Sequence, residues 1–149
     1  MKKIKSTKST YVKSLNLIYI VVNPIVFIGI FNKYGIIEAT ILISIMMIVF
    51  AYLYSISLKY IIKTDKELIL IKGFSKIVIP YNNIKEINPL KGSVVKITFG
   101  SKGIFGFNGI AMEGKNCFIN DLNKIVLIKT IGEDFLISCD NLNELTKKV

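Results

Sequence analysis

Histidine, arginine and tryptophan are absent from this 149-residue sequence, and cysteine occurs only twice. Without histidine the chain lacks the most common general base and metal ligand of proteins. Cys117 and Cys139 have no neighbouring ligands at metal-site spacing, so we expect reduced, partly buried thiols rather than a metal centre or a disulfide. The acidic residues mostly fall at turns or helix caps. We therefore expect a protein that is not an enzyme and holds no metal or cofactor.

Negative charge is also scarce, because 10 acidic residues stand against 20 basic ones and leave a net charge of +10. A basic surface can attract nucleic acid, anionic lipid or acidic proteins. Nucleic-acid binding would also need stacking aromatics interleaved with basic residues on an exposed sheet, and the membrane anchoring that the long apolar runs predict argues against it. Beside membrane helices, anionic lipid headgroups are the nearest candidates.

Two long apolar runs occupy residues 15–58, the first from Leu15 to Phe31 and the second from Ile36 to Leu58. The second run spans roughly 34 Å as a helix, which is enough to cross a hydrocarbon core of about 30 Å. The first spans only about 26 Å, and its Asn23-Pro24 pair predicts a kink. Residues 32–35 are typical of a turn. Together these features predict a two-helix transmembrane hairpin.

Lysines flank the two runs unevenly, and this asymmetry predicts an orientation. Residues 1–14, which we expect to be a basic cytoplasmic tail, hold five lysines, and three more follow the second run; the connecting turn has only Lys33. By the positive-inside rule both termini then lie in the cytoplasm, in a multi-pass protein of the cytoplasmic (inner) membrane. Tyr52, Tyr54 and Tyr60 are expected to form an interfacial aromatic belt. The alternatives are a cleaved signal peptide, for which no cleavage pattern follows, and a soluble protein with two core helices.

From residue 59 to residue 149 the pattern becomes β-rich, and we expect one cytoplasmic domain there. Short β-branched runs separated by turn residues predict an antiparallel sandwich or barrel. The predicted strands cover residues 59–63, 67–72, 76–79, 84–87, 94–99, 116–119, 125–130 and 135–138. In the fifth of them Val95, Ile97 and Phe99 should share one face. Asn141 and Glu144 resemble a capping box and predict a C-terminal helix with Leu142, Leu145 and Val149 on one face.

The segment from Gly100 to Gly109 is unusual because glycine recurs at every third position. A phosphate-binding loop is excluded, since no helix is predicted directly after it. Two interpretations remain open. The glycines could permit a bend or bulge that lets the nearby phenylalanines pack on the barrel. Alternatively, the segment contacts the membrane or a partner through Lys102, Phe105, Phe107 and Asn108.

Residues 60–87, 99–109 and 125–145 resemble bacterial pleckstrin-homology-like (PH-like) domains. The most characteristic elements are Ile79-Pro80-Tyr81 with the strand that follows it, and the run from Phe105 to Gly109. The resemblance implies an all-β barrel or sandwich with a C-terminal helix. The glycine-aromatic loop resembles that of the branch that includes the membrane-anchored sublancin immunity protein. That likeness implies protection against a bacteriocin peptide by binding or masking, without catalysis.

The possible partners follow from these predictions. The lipid bilayer is the expected partner of the hairpin, and a bacteriocin peptide or a membrane protein is a possible partner of the domain. The alternative functions are an interaction or accessory subunit of a membrane complex and an anionic-lipid-binding domain. The sequence leaves the oligomeric state open.

Overall fold

The computed structural model describes residues 1–90 and 95–146, and it combines two long helices with a β-rich domain. The elements follow in the order β1 (Lys2–Lys5), α1 (Thr10–Lys33), α2 (Ile36–Ile56), β2 (Leu58–Lys63), β3 (Glu67–Lys72), β4 (Lys76–Pro80), β5 (Ile84–Leu90), β6 (Ile97–Gly103), β7 (Gly106–Ala111), β8 (Asn116–Ile119), β9 (Ile125–Thr130), β10 (Phe135–Ser138) and α3 (Leu142–Thr146). This arrangement confirms the predicted fold class: two long apolar helices, then a β-rich domain that ends in a short helix.

Helix α1 is longer than the sequence predicted. It begins at Thr10, where the Ser9 side chain caps it by accepting a hydrogen bond from the Val12 backbone N–H at 3.3 Å. Its 24 residues continue through Pro24 as one helix, and the kink expected at Asn23-Pro24 stays a prediction. At 1.5 Å per residue, α1 is about 36 Å long and exceeds the thickness of a hydrocarbon core.

Helix α2 ends earlier than the sequence predicted. It covers 21 residues and stops at Ile56, because Ser57 adopts an extended backbone and its side-chain hydroxyl donates to the Tyr54 carbonyl at 2.8 Å. The assignment of Leu58 to the membrane span was therefore wrong, since Leu58 begins β2 and is buried in the domain core. Both helices are long and apolar enough to cross a membrane by length and composition.

The first residues of the chain form a strand, which corrects the prediction of a plain basic tail. In β1 the residues pair antiparallel with β2, so that Ile4 lies opposite Ile61. Both isoleucines are buried in the main core, with Ile4 only 2% exposed. The lysines on either side of Ile4 remain exposed at the edge of the sheet. The helical hairpin is thus flanked by two strands of one sheet.

The strands form two sheets with one main core and a smaller second one. The four-stranded sheet has the order β1-β2-β3-β4, and the six-stranded sheet has the order β5-β9-β10-β8-β7-β6. Strands β8 and β10 are parallel, and the other pairs formed by described residues are antiparallel. Residues of both sheets and of α3 meet in the main core, including Leu68 and Leu70 from one sheet, Val126 and Ile137 from the other, and Leu145.

The predicted strand at residues 94–99 differs most from the structure. The observed strand starts at Ile97 and continues to Gly103, while Val94 lies outside the described residues. The register with β7 shifts between Ile97 and Phe99, as in a β-bulge. Ile97 is consequently 5% exposed and Phe99 66% exposed, so the prediction that they share a face was wrong. In α3, Leu145 is buried as expected, and Val149 lies outside the described residues.

Candidate membrane-proximal site

The glycine-rich segment forms a β-hairpin. Strands β6 and β7 are joined by the two-residue turn Ile104-Phe105, and Gly100 pairs with Gly109 across the hairpin. A Cβ atom on Gly100 would lie 2.1 Å from the Asn108 carbonyl oxygen, and one on Gly109 would lie 2.1 Å from the Phe99 carbonyl oxygen. Both positions also have strongly positive φ angles. Only glycine fits this close approach of two backbones, which explains the glycines at positions 100 and 109.

The turn of this hairpin contacts both long helices. The Phe105 ring lies edge-on to Phe50 and Tyr54 of α2, with centroid distances of 6.1 and 5.7 Å. Its backbone N–H donates a hydrogen bond to the Asn16 side-chain oxygen of α1 at 2.9 Å. Phe107 packs on the second core and stacks with Tyr11 of α1 at 6.2 Å. We call this region, where α1 and α2 meet the β6–β7 hairpin, the helix–domain junction.

The junction clarifies the roles of the four residues predicted as membrane or partner contacts. Phe105 and Phe107 face the helices of the same chain. Asn108 is fully buried, and its side-chain amide donates to the Phe105 carbonyl at 3.2 Å, so its predicted direct contact with a partner was wrong. Lys102 is exposed on β6, at the edge of the six-stranded sheet, and its proposed contact stays a prediction.

A buried asparagine that sequence reasoning missed ties the N-terminal segment to the domain. The Asn120 side-chain amide donates to the Ser6 carbonyl and hydroxyl, both at 3.0 Å, and to the Leu58 carbonyl at 2.9 Å. Its backbone N–H donates to the Ser138 hydroxyl at 2.8 Å, and its carbonyl accepts from the Ser9 N–H at 2.9 Å. Asn120 therefore bridges the segments that lead into α1 and out of α2.

An acidic side chain reinforces this tie at the surface. The Asp140 carboxylate accepts hydrogen bonds from the Thr7 backbone and hydroxyl and lies 2.8 Å from the Lys124 ammonium. Burial opposes ionisation of Asp140, but the hydrogen bonds from Lys124 and Thr7 hold the pKa of its carboxyl below the ordinary value. A polar groove of about 490 Å³ runs beside this cluster, between residues 7–11 and residues 121–124.

Two lysines at the junction lie over aromatic rings. The Lys59 ammonium is 3.7 Å from the centroid of Tyr54, and the Lys8 ammonium is 5.1 Å from that of Phe105. Burial and the charge of Lys59 lower the pKa of Lys8. Among the residues that the structure describes, neither lysine forms an ion pair with a carboxylate. This is an unbalanced positive site next to the ends of two apolar helices.

The turn between β3 and β4 also reaches the end of α2. The Gly73 N–H donates to the Ser55 carbonyl at 3.1 Å, and the Phe74 ring lies 5.2 Å from Tyr54 while remaining 73% exposed. Tyr60, expected in an interfacial belt, lies instead on β2 beneath the Lys3 ammonium. Of that predicted belt, only Tyr52 and Tyr54 belong to the helix.

The two cysteines are free and buried, as expected. Burial raises the pKa of the Cys117 thiol to about 12 and that of Cys139 to about 11, so both stay protonated at neutral pH. Within residues 1–90 and 95–146, no group of three or more acidic or cysteine residues could hold a metal ion.

Comparison with known families agrees with this β-rich architecture. Residues 58–149 match the family model of the bacterial PH domain, and this chain belongs to that family. Neither the curated proteins nor the solved structures contain a significant match to the chain. PH-like domains are generally binding modules rather than enzymes. The match begins at Leu58, so β1, α1 and α2 all lie outside the matched region.

Proposed function

We propose that this protein is a binding module of the bacterial PH family, anchored by a helical hairpin that crosses the cytoplasmic membrane twice. The observation that carries the proposal is the antiparallel pairing of β1 with β2. These strands precede α1 and follow α2, so the two ends of the hairpin must lie on the same side of any membrane that the helices enter. Two crossings satisfy this requirement, whereas a single crossing does not.

The lysine distribution supports a cytoplasmic domain. Four lysines precede α1 and Lys13 lies in its first turn, Lys59, Lys63 and Lys66 follow α2, and Lys33 is next to the connecting turn. Under the positive-inside rule the β-rich domain faces the cytoplasm and Tyr34 faces the opposite side. We therefore propose a hairpin from Thr10 to Ile56 and one cytoplasmic domain that combines β1 with the family-matched residues 58–149.

A cysteine-labelling experiment tests this topology. The native cysteines are buried and protonated, so they give little background with a membrane-impermeant maleimide. We expect Tyr34→Cys to be labelled in intact cells and Lys66→Cys only after permeabilisation, since both positions are exposed. Labelling of Lys66→Cys but not of Tyr34→Cys in intact cells would overturn the orientation. Equal labelling of both variants without permeabilisation would overturn the two crossings.

For the biological role we propose protection against a bacteriocin peptide, of the sublancin type, by binding the peptide or masking its target at the membrane. The proposal is supported by family membership, by the glycine-aromatic hairpin and by the membrane-length helices beside the domain. The test is survival of a sensitive host that expresses the protein across a bacteriocin panel. Ile131→Asp, at an exposed turn, should protect as well as the wild type, and the core variant Ile4→Asp should not. Unchanged sensitivity across the panel would reject this role.

A second candidate function, an interaction subunit of a membrane complex, is favoured by Asn23. This residue lies near the middle of α1, beside Pro24, and the described residues offer no hydrogen-bond partner for its side chain. A polar side chain at membrane depth is satisfied best by another helix. Pull-down from mild detergent should then recover a partner at fixed stoichiometry. Asn23→Leu should release that partner, whereas a monomer in both forms would exclude this function.

A further inference from the structure

The two lysines of the junction lie over a pair of aromatic rings that contact each other, Phe105 and Tyr54, which we call the aromatic platform. Lys8 lies over Phe105, Lys59 lies over Tyr54, and the two rings are in edge-to-face contact at 5.7 Å. Tyr54 belongs to the last turns of α2, and Lys8 lies two residues before α1. If the helices cross the membrane, as the proposed function requires, both ammonium groups lie at the depth of the lipid headgroups.

Within the described part of the chain, no carboxylate forms an ion pair with Lys8 or Lys59. Both lysines are half-buried, and each repels the other strongly enough to contribute to the lowered pKa of Lys8. Lys124 differs from these two lysines because it pairs with carboxylates, 2.8 Å from Asp140 and 3.9 Å from Asp121. Partly buried cations that repel each other are costly unless an anion lies between them.

An exposed apolar ring lies beside the same platform. Phe74 contacts Tyr54 from the side of the β3–β4 turn and leaves 73% of its surface exposed. Tyr54 is thus shared by a lysine and an exposed phenylalanine at the end of a membrane-length helix. A free phosphate would use only the lysines, whereas a phospholipid presents a phosphate next to apolar chains and fits both features.

We propose that Lys8 and Lys59 together bind the phosphate of an anionic phospholipid headgroup, with Phe74 against the adjoining acyl chains. The inference rests on the proposed membrane anchoring and names its lipid partner. The site is built from both ends of the hairpin and from the β6–β7 turn. It therefore exists only when the helices and the domain are assembled.

Lipid selectivity of the full-length protein in nanodiscs tests the proposal. Phosphatidylglycerol is mixed with phosphatidylcholine, and the lipid retained by the protein is measured by native mass spectrometry. We expect Lys8→Gln and Lys59→Gln each to lower the preference for phosphatidylglycerol about fivefold. Lys33→Gln is the matched control, because Lys33 lies 5.6 Å from the Tyr34 ring at the opposite end of α1. An equal loss in Lys33→Gln would mean generic headgroup attraction and would overturn the specific site.

Thermal unfolding in a zwitterionic detergent provides a second readout. Without anionic lipid, Lys8→Gln should melt at about the wild-type temperature, because relief of the repulsion by Lys59 offsets the lost cation–π contact with Phe105. Added phosphatidylglycerol should raise the melting temperature of the wild type but not that of the variant. A lower melting temperature of lipid-free Lys8→Gln would assign the lysine a structural role instead. An equal rise with inorganic phosphate would indicate a free anion as the ligand. Maleimide labelling measures the topology separately, so failure of the two crossings can be distinguished from failure of the lipid site.

Discussion

The two ends of the helical hairpin differ in how they are held. At the far end α1 stops at Lys33, and Tyr34 and Gly35 alone connect it to α2. The Tyr34 N–H donates to the Ile30 carbonyl, and Ile36 at the start of α2 is 74% exposed. At the domain end a strand, a buried asparagine and two aromatic turns fix the helices.

This difference shows which end of the hairpin depends on particular side chains. The far end needs only helix termination and a short turn, which many sequences provide. The domain end needs particular side chains at particular positions: Asn120 between Ser6 and Leu58, and Phe105 between the two helices. Substitutions at the domain end should therefore alter stability strongly, and those at the far end weakly.

The largest effect is expected for Ile4→Asp. Ile4 is buried in the main core beside residues of the family-matched region, so the change removes apolar contacts and buries a charge. We expect a loss of about 5 kcal/mol, comparable to the whole stability of a small domain. Thermal unfolding in detergent measures it. Ile131→Asp makes the same change at an exposed turn and should stay within about 0.5 kcal/mol of the wild type. Similar melting temperatures for the two variants would show that β1 is dispensable.

Asn120→Ala should have the next largest effect. The substitution leaves the buried carbonyls of Ser6 and Leu58 without their donor, at an expected cost of about 3 kcal/mol. Asn108→Ala is the control, because Asn108 is equally buried but its side chain donates only to the Phe105 carbonyl. Its expected cost is about 1 kcal/mol. Chemical denaturation of both variants checks the ranking, and the reverse order would disprove the bridging role of Asn120.

Replacement of Phe105 should loosen the helices from the domain while leaving the sheets folded. Phe105 has a φ of 57°, and asparagine tolerates this conformation, so Phe105→Asn isolates the loss of the ring. Two aromatic contacts and one cation–π contact are removed, for an expected cost of about 2 kcal/mol. Phe74→Asn removes one contact of an exposed ring and should cost less than about 1 kcal/mol. Hydrogen exchange should increase near Asn16 in the first variant and stay unchanged in the second.

At the far end, lengthening the turn should be tolerated. Inserting about six Gly and Ser residues between Tyr34 and Gly35 adds only the entropy of a longer loop, about 1 kcal/mol. The same insertion between Thr7 and Lys8 separates β1 from α1 and should disturb the contacts of Ser9 with Asn120. Melting temperatures of the two insertion variants compare the ends directly. A larger loss from the far-end insertion would reverse the comparison.

The smallest effect concerns Asp140 and appears only in acid. Because its folded-state pKa is lowered, the ionised carboxylate adds stability above its unfolded pKa, and this contribution is lost as the pH falls through the folded-state pKa. The difference in melting temperature between the wild type and Asp140→Asn should thus be complete above about pH 4 and shrink below it. A difference that stays constant down to pH 2 would show that the contacts of Thr7 and Lys124 do not depend on the charge.

The sequence predicted those parts of the fold that depend on local pattern. Long apolar runs identified both helices, and strands β3, β8, β9 and β10 have the predicted bounds. Strand β1 was missed because it contains one apolar residue among lysines, and its identity depends on a partner some 60 residues away. Ile97 and Phe99 were misassigned because a bulge changes the alternation of faces.

The junction could be predicted only in part. The glycine pairs Gly100–Gly109 and Gly103–Gly106 are symmetric about the turn at Ile104-Phe105, and this symmetry is a signal for a hairpin that the sequence does contain. No local pattern indicates that Phe105 contacts α2 or that Asn120 bridges Ser6 and Leu58. Those contacts join elements distant in the chain, and they depend on how the hairpin and the sheets are arranged in space.

The pairing of β1 with β2 also sets the order of events during synthesis. Strand β1 leaves the ribosome before either helix, but its partner follows α2, so the four-stranded sheet cannot be completed until both helices have been made. If the helices insert during translation, β1 must wait unpaired on the cytoplasmic side while they enter the membrane. Completion of the sheet would then report that the hairpin has inserted with both ends on one side. A hairpin inserted with its two ends on opposite sides would leave the domain without its edge strand, exposed to the proteases that remove misfolded membrane proteins.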